Sequence, residues 1–219
     1  MTGIHSEAPT SRPDRAAPRV KAYGLLAAAF RYPDDELFSG LASGAEQRAL
    51  FAAVEALPYS LSLGVASLPI PSNLEAAQVE YTRLFDIGTY GPPCPLSEGH
   101  HRVDRLQVME EVMRFFDYFG LRFQPEAGLF PDHLSVELEF MKVMAGAEAP
   151  ADQESAMRAQ HDFLERHLCT WLPQLQEAVS RHAEMPLYPA LTNIALRFVE
   201  GDRGYLAGKL RRVWSEERQ

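Results

Sequence analysis

No stretch of this chain alternates apolar and polar residues with the period of two that a half-buried strand requires. Apolar residues instead recur every three or four positions through most of its length, which restricts the fold to packed helices. Leu134, Leu138, Met141 and Ala145 form one such stripe; Leu164, Leu168, Trp171, Leu175 and Val179 form another. No unit repeats at fixed spacing, so a solenoid is not indicated, and nowhere do about 18 uninterrupted apolar residues occur, as a membrane-spanning helix needs. The expected fold class is all-α, a single-domain helical bundle without stable membrane insertion.

Glycine, proline and capping residues divide the pattern. A helix is expected over Val20 to Phe30, then a break at Tyr32-Pro33-Asp34-Asp35 that caps a short second helix, then a third over Ala45 to Leu57. Tyr59 to Pro71 reads as a packed loop, and Ser72 or Asn73 caps a helix through Phe85 with Leu74, Ala77 and Tyr81 on one face. The segment Gly88 to Gly99 is dense in glycine and proline. Val103 to Phe119 is the strongest helix, with Leu106, Met109, Met113 and Phe116 expected inward, a Glu110–Arg114 pair outside, and Gly120 as its stop. Gly146 to Asp152 reads as a loop, and Ala156 to Val179 as a long helix that Pro173 kinks near Trp171. Pro189 suits the first turn of the next helix, faced by Leu191, Ile194 and Phe198, and Gly201 to Gly204 is expected to separate a last short helix reaching Trp214. Residues 1–18 are expected to be a loose tail and 19–215 the helical domain.

The formal net charge of −9 over 219 residues argues against a nucleic-acid partner, which needs clustered lysine and arginine, and favours a cationic one. Cys94 and Cys169 are the only cysteines; no disulfide framework is implied and two thiols do not build a structural zinc site. Met1 to Pro18 lacks the apolar core of a secretory signal, so a reducing cytoplasm is expected.

The run Phe130-Pro131-Asp132-His133-Leu134 places a proline, an acid and a histidine where a helix begins, with Glu137 one turn on. Asp132 is expected to cap that helix, while His133 and Glu137 point from an exposed rim. Cys94, His100 and His101, or His133 with Glu137, offer incomplete metal sets, and no metal or cofactor is expected. Gly204 to Leu210 fails as a phosphate loop, since Leu210 stands where a magnesium-binding hydroxyl is needed. No nucleophile has a motif-placed base, so a non-enzymatic role is expected. The acids Glu75, Glu80, Asp86, Glu98, Asp104, Glu110, Asp132 and Glu137 cluster around the central helices. If they rim an apolar groove, they would suit a peptide with paired arginines before a hydrophobic run.

Taken together, Glu80-Tyr81-Thr82-Arg83-Leu84-Phe85, the proline-rich loop through Pro95 with Ser97-Glu98, and Pro131-Asp132-His133-Leu134 with Glu137-Leu138-Glu139-Phe140-Met141 resemble the TorD/DmsD/NarJ family. His167-Leu168, Trp171-Leu172-Pro173 and Tyr188-Pro189 look like that family's C-terminal part, so the resemblance covers about Val20 to Phe198. It implies a cytoplasmic, system-specific chaperone of the TorD/DmsD-like fold. Such a chaperone holds the catalytic subunit of a dimethyl sulfoxide reductase-type molybdenum enzyme during cofactor insertion and often shields its twin-arginine signal. The binding surface carried over from the family falls on Tyr81, Phe85, Pro93, Pro95, Ser97, Glu98, Pro131, Asp132, His133 and Glu137. The wording around Pro131 looks closest to chaperones serving ethylbenzene, dimethyl sulfide, selenate or chlorate enzymes of anaerobic respiration. A monomer or a dimer is compatible with it. The alternatives left open by the residues alone are a helical metal or redox enzyme using His133, Glu137 and the His100–His101 pair, and a plain helical interaction module.

Overall fold

The computed structural model describes residues 16–123, 129–147 and 153–216. Nine α-helices are found among the described residues, and no extended strand. α1 (Ala17–Ala29) opens with Pro18 in its first turn, where a missing N–H costs nothing. The tail expected over residues 1–18 therefore lies outside the described residues up to 15, and at Ala17 and Pro18 it is replaced by helix.

α2 (Asp35–Ala42) is capped by Asp34, whose carboxylate accepts from the Leu37 N–H at 2.8 Å. α3 (Ala45–Glu55) follows Gly44, at φ 72°, a left-handed turn suited to glycine. Asn73 caps α4 (Leu74–Tyr81), accepting from Ala76 N–H at 2.8 Å, and α4 runs on into a π-helical turn over Thr82–Asp86. Asp104 caps α5 (Arg105–Tyr118), which ends in a Schellman motif: Leu121 N–H reaches Phe116 O at 2.9 Å and Gly120 N–H reaches Asp117 O at 3.0 Å. α6 is Leu134–Gly146, α7 Gln153–Phe163, α8 Cys169–His182 and α9 Leu187–Glu216.

α6 is the central element. Its stripe of Leu134, Leu138, Met141 and Ala145 is fully buried, and α1 packs along it, presenting Tyr23, Leu26, Ala27 and Phe30 to the same core. α3 lies on α1, α8 on α9, and α7 on α9. Every residue of the Leu164, Leu168, Trp171, Leu175, Val179 stripe is buried, as is the Leu191, Ile194, Phe198 face of α9.

Three expectations about the helices are corrected. α5 turns Val108, Val112 and Phe116 inward, while Leu106 is exposed. Two overlapping stripes satisfy its spacing, and the choice is made by tertiary ring packing: Phe115 meets Phe163 at 5.2 Å and Phe116 meets Phe140 at 5.1 Å. The long helix around Pro173 is interrupted earlier than Trp171, at a π-helical turn over Leu164–Leu168. That turn ends just before Cys169, whose carbonyl Pro173 cannot bond and its ring crowds. α9 continues unbroken through Gly201 and Gly204. A β-carbon at Gly201 would lie 3.1 Å from the Tyr59 ring and 3.2 Å from Leu61, so the glycine lets the loop before α4 lie close on α9. The neighbouring Asp202 anchors the helix. Fully buried, it accepts from Arg19 at 2.7 and 2.9 Å, from Tyr23 O–H at 2.7 Å and from Tyr59 O–H at 3.2 Å, tying α1 and the loop to α9.

Candidate functional site

The proline-rich loop is fastened at intervals to its neighbours. Prolines at 92, 93 and 95 have no N–H, so the bonds come from the residues between and after them. Cys94 N–H donates to Leu84 O at 3.0 Å, Leu134 N–H to Leu96 O at 2.8 Å, and Glu98 N–H to Asp132 O at 2.9 Å. Ser97 and His133 thereby face each other in an isolated antiparallel bridge, which brings the loop against the mouth of α6. His101 adds a bond to Pro95 O at 2.8 Å and stacks on Trp171, ring centres 5.2 Å apart.

Beneath this junction lies a buried polar knot. The Glu98 carboxylate accepts from His167 Nδ1 at 2.8 Å and from Arg102 at 2.9 Å; Arg102 also reaches Arg166 O and Thr170 Oγ1. Glu137, from α6, accepts from Trp171 Nε1 at 3.2 Å. Ligand atoms of Glu98, Glu137 and His167 all lie within 4.8 Å of one another. Burial first, then the charge of Glu98, pushes the Glu137 carboxyl well above its usual range, towards the neutral acid. Glu137 Oε1 and His167 Nε2 are buried with no hydrogen-bond partner among the described residues, and a divalent cation at this donor set would have to compete with Arg102 for Glu98.

Asp132 is also fully buried. Its Oδ2 accepts from Gly99 N–H at 3.0 Å, its Oδ1 has no partner among the described residues, and burial raises its pKa. Gly99 is required by close approach, since a β-carbon would lie 2.5 Å from Arg105 Cγ and 2.9 Å from Asp132 Oδ2.

The helix cap expected of Asp132 belongs instead to His133. Ser135 N–H donates to His133 Nδ1 at 3.2 Å, with the Ser135 hydroxyl 2.8 Å from the same nitrogen. The imidazole is therefore the Nε2–H tautomer, and burial, with Arg31 nearby, lowers its pKa to about 4. Glu137, expected on an exposed rim beside His133, is wholly buried.

Above the knot opens a cleft of about 650 Å³. Tyr81, Phe85, Pro95, Ser97 and His133 line it. Glu98, Pro131, Asp132 and Glu137 are buried, and Pro93 is exposed on the loop; none of these five is in the cleft wall. The acidic rim is corrected too. Glu80, Glu98, Asp132 and Glu137 are buried, Glu75, Asp104 and Glu110 lie on the exterior, and Asp86 alone of the eight lines the cleft. Glu80 binds its own scaffold: it accepts from Glu184 and Met185 N–H at 2.8 and 3.0 Å and pairs with Arg83 at 2.7 Å. Cys94, His100 and His101 do not converge as ligands among the described residues.

Sequence reasoning missed Arg31, Tyr32, His100, Arg105 and Phe130 as wall residues. Half-exposed Tyr32 and Phe130 carried a signal, since each is an aromatic residue directly before a proline at a helix boundary, Pro33 after α1 and Pro131 before α6. His167 was separable from His161 only by its place beside Leu164, Leu168 and Trp171 on the buried stripe.

Residues 47–177 match the family model described as nitrate reductase delta subunit. Over 212 residues the chain is 31% identical to the perchlorate reductase assembly chaperone protein of Dechloromonas aromatica (strain RCB), covering 91% of this chain and 95% of that one. It is 32% identical over 203 residues to the dimethyl sulfide dehydrogenase assembly chaperone protein of Rhodovulum sulfidophilum, covering 83% and 78%. Over 109 residues it is 35% identical to the selenate reductase assembly chaperone protein of Thauera selenatis, covering 47% and 56%.

Proposed function

Because the chain belongs to the nitrate reductase delta subunit family, we propose that it is a system-specific assembly chaperone. Its client is the catalytic subunit of a molybdenum reductase or dehydrogenase, held until the subunit's cofactor is in place. The observation that carries this reading is similarity along nearly the whole chain to a perchlorate reductase assembly chaperone, with all three motif segments contributing to the wall of one cleft.

The cleft fits a binding role. Tyr32 and Phe130 stand half-exposed on its wall, and Ile87 and Tyr90 are exposed on the adjoining loop. Exposed rings of this kind around a concavity serve association with another polypeptide. The knot of Glu98, Glu137, His167 and Trp171 holds the loop in place before the client arrives, which lowers the entropy lost on binding.

Work in the cytoplasm accords with this reading, and no helix among the described residues is long and apolar enough to cross a membrane. The finer reading is that the chaperone also covers the subunit's twin-arginine leader. The test is co-purification from cells in which the client subunit is expressed. The reading expects a stoichiometric complex with the subunit lacking its cofactor and release on loading; an uncomplexed chain under those conditions contradicts it. Calorimetric titration with the isolated leader tests the finer reading alone.

A further inference from the structure

The tip of the proline-rich loop is built to present one side chain. Tyr90 is wholly exposed and Ile87, three residues before it, is 64% exposed, while no residue from Ile87 to Ser97 is charged in a chain of net charge −9. We propose that this tip is an anchor: Tyr90, together with Ile87, seats in an uncharged concavity on the folded body of the client subunit. This deepens the chaperone reading, rests on it, and adds a contact outside the cleft.

The backbone fixes the tip before any partner arrives. Gly91 N–H donates to Gly88 O at 3.2 Å and closes a four-residue turn with Thr89 and Tyr90 at its centre. Both glycines are required: Gly91 sits at φ 102°, and a β-carbon at Gly88 would lie 2.1 Å from Gly91 O. Both limbs are tied to one support, the π-helical turn over Thr82–Asp86. Ile87 N–H donates to Thr82 O at 3.1 Å, and Cys94 N–H to Leu84 O at 3.0 Å. Pro92 and Pro93 stiffen the returning limb. A ring on so constrained a turn loses little freedom when a partner buries it, and tyrosine supplies a large apolar area with only two side-chain torsions to fix.

Shape and charge choose the partner. A knob that projects from the surface needs a concavity to enter, which a folded protein offers and an extended leader does not; an extended segment suits a cleft instead. With no charge on the tip, the matching surface is apolar, with one acceptor for the phenol O–H. The tip also adjoins the cleft, since Asp86 and Pro92 on either side of it line that wall, so one client chain can engage both.

The test uses the full chain co-expressed with the client catalytic subunit, either intact or with its leader deleted, and reads how much subunit co-purifies. Tyr90→Ala is expected to lower retention of the leader-deleted subunit at least about tenfold, with an unchanged unfolding midpoint because the ring is wholly exposed. Tyr90→Phe should stay within about fivefold of the wild type. Gly91→Ala, which keeps the ring but strains the turn that aims it, should weaken capture by about threefold or more. Wild-type retention by Tyr90→Ala overturns the anchor, as does a loss confined to the subunit that carries its leader, or a shift from dimer to monomer with capture unchanged. If the wild type captures only the leader-bearing subunit, the anchor falls and the chaperone reading stands; if it captures neither form, both fall.

Discussion

Glu137 and Glu98 are buried against each other from different segments of the chain, and burial together with the charge of Glu98 raises the Glu137 pKa well above its usual range. Glu98 binds Arg102 and His167, and Glu137 gives Trp171 an acceptor. The geometry converts two acids that repel into a tie between the loop and α6.

Glu137→Gln should preserve this tie, because the neutral amide has nearly the shape of the acid and its carbonyl still accepts from Trp171. Glu137→Ala should cost about 2–4 kcal/mol in denaturant unfolding, through a cavity and an unpaired indole N–H. The pH dependence has a definite sign. A carboxyl raised in the folded state contributes stability that is complete below its unfolded value and is lost as pH rises through the folded one. Glu137→Gln should therefore gain on the wild type as pH rises, and a constant difference between them would contradict the assignment.

His133 acts in the opposite direction. Its pKa falls from 6.5 to about 4 on folding, so its contribution is full above 6.5 and disappears as pH falls through about 4. At most about 3 kcal/mol is at stake. Unfolding measured between pH 7 and pH 4 should show His133→Asn losing less stability than the wild type.

Gly99→Ala should destabilise by about 1–3 kcal/mol, because the added carbon meets Arg105 Cγ at 2.5 Å and the Arg105 backbone at 3.1 Å. Thermal unfolding checks the cost.

Asp202→Ala should cost about 3–5 kcal/mol by removing the buried carboxylate that pairs with Arg19, alongside the lost bonds from Tyr23 and Tyr59. Denaturant unfolding checks it, and replacing Arg19 and Asp202 together by apolar residues should recover part of the loss.

The helices were legible because their stripes repeat over many turns, and the caps at Asp34, Asn73 and Asp104 follow from local spacing. The rotation of α5 was not, because Phe115 and Phe116 choose their face only when α6 and α7 supply Phe140 and Phe163. Continuity of α9 through Gly201 depends on Tyr59 and Leu61, which come from a distant loop. The site was half legible. Its motifs meet, but residue type could not separate acids that line a cleft from acids that bind its floor: Asp86 does the first, and Glu98, Asp132 and Glu137 the second. Arg105 escaped notice because nothing local marks it; Phe130 reaches it only after the chain has closed on itself.

The most direct measurement of the central claim is the molybdenum content of the client subunit purified from cells with and without this chain. The assembly-chaperone account predicts that the subunit accumulates without its cofactor when the chain is missing and that supplying the chain restores loading. A fully loaded subunit in cells lacking the chain would contradict it.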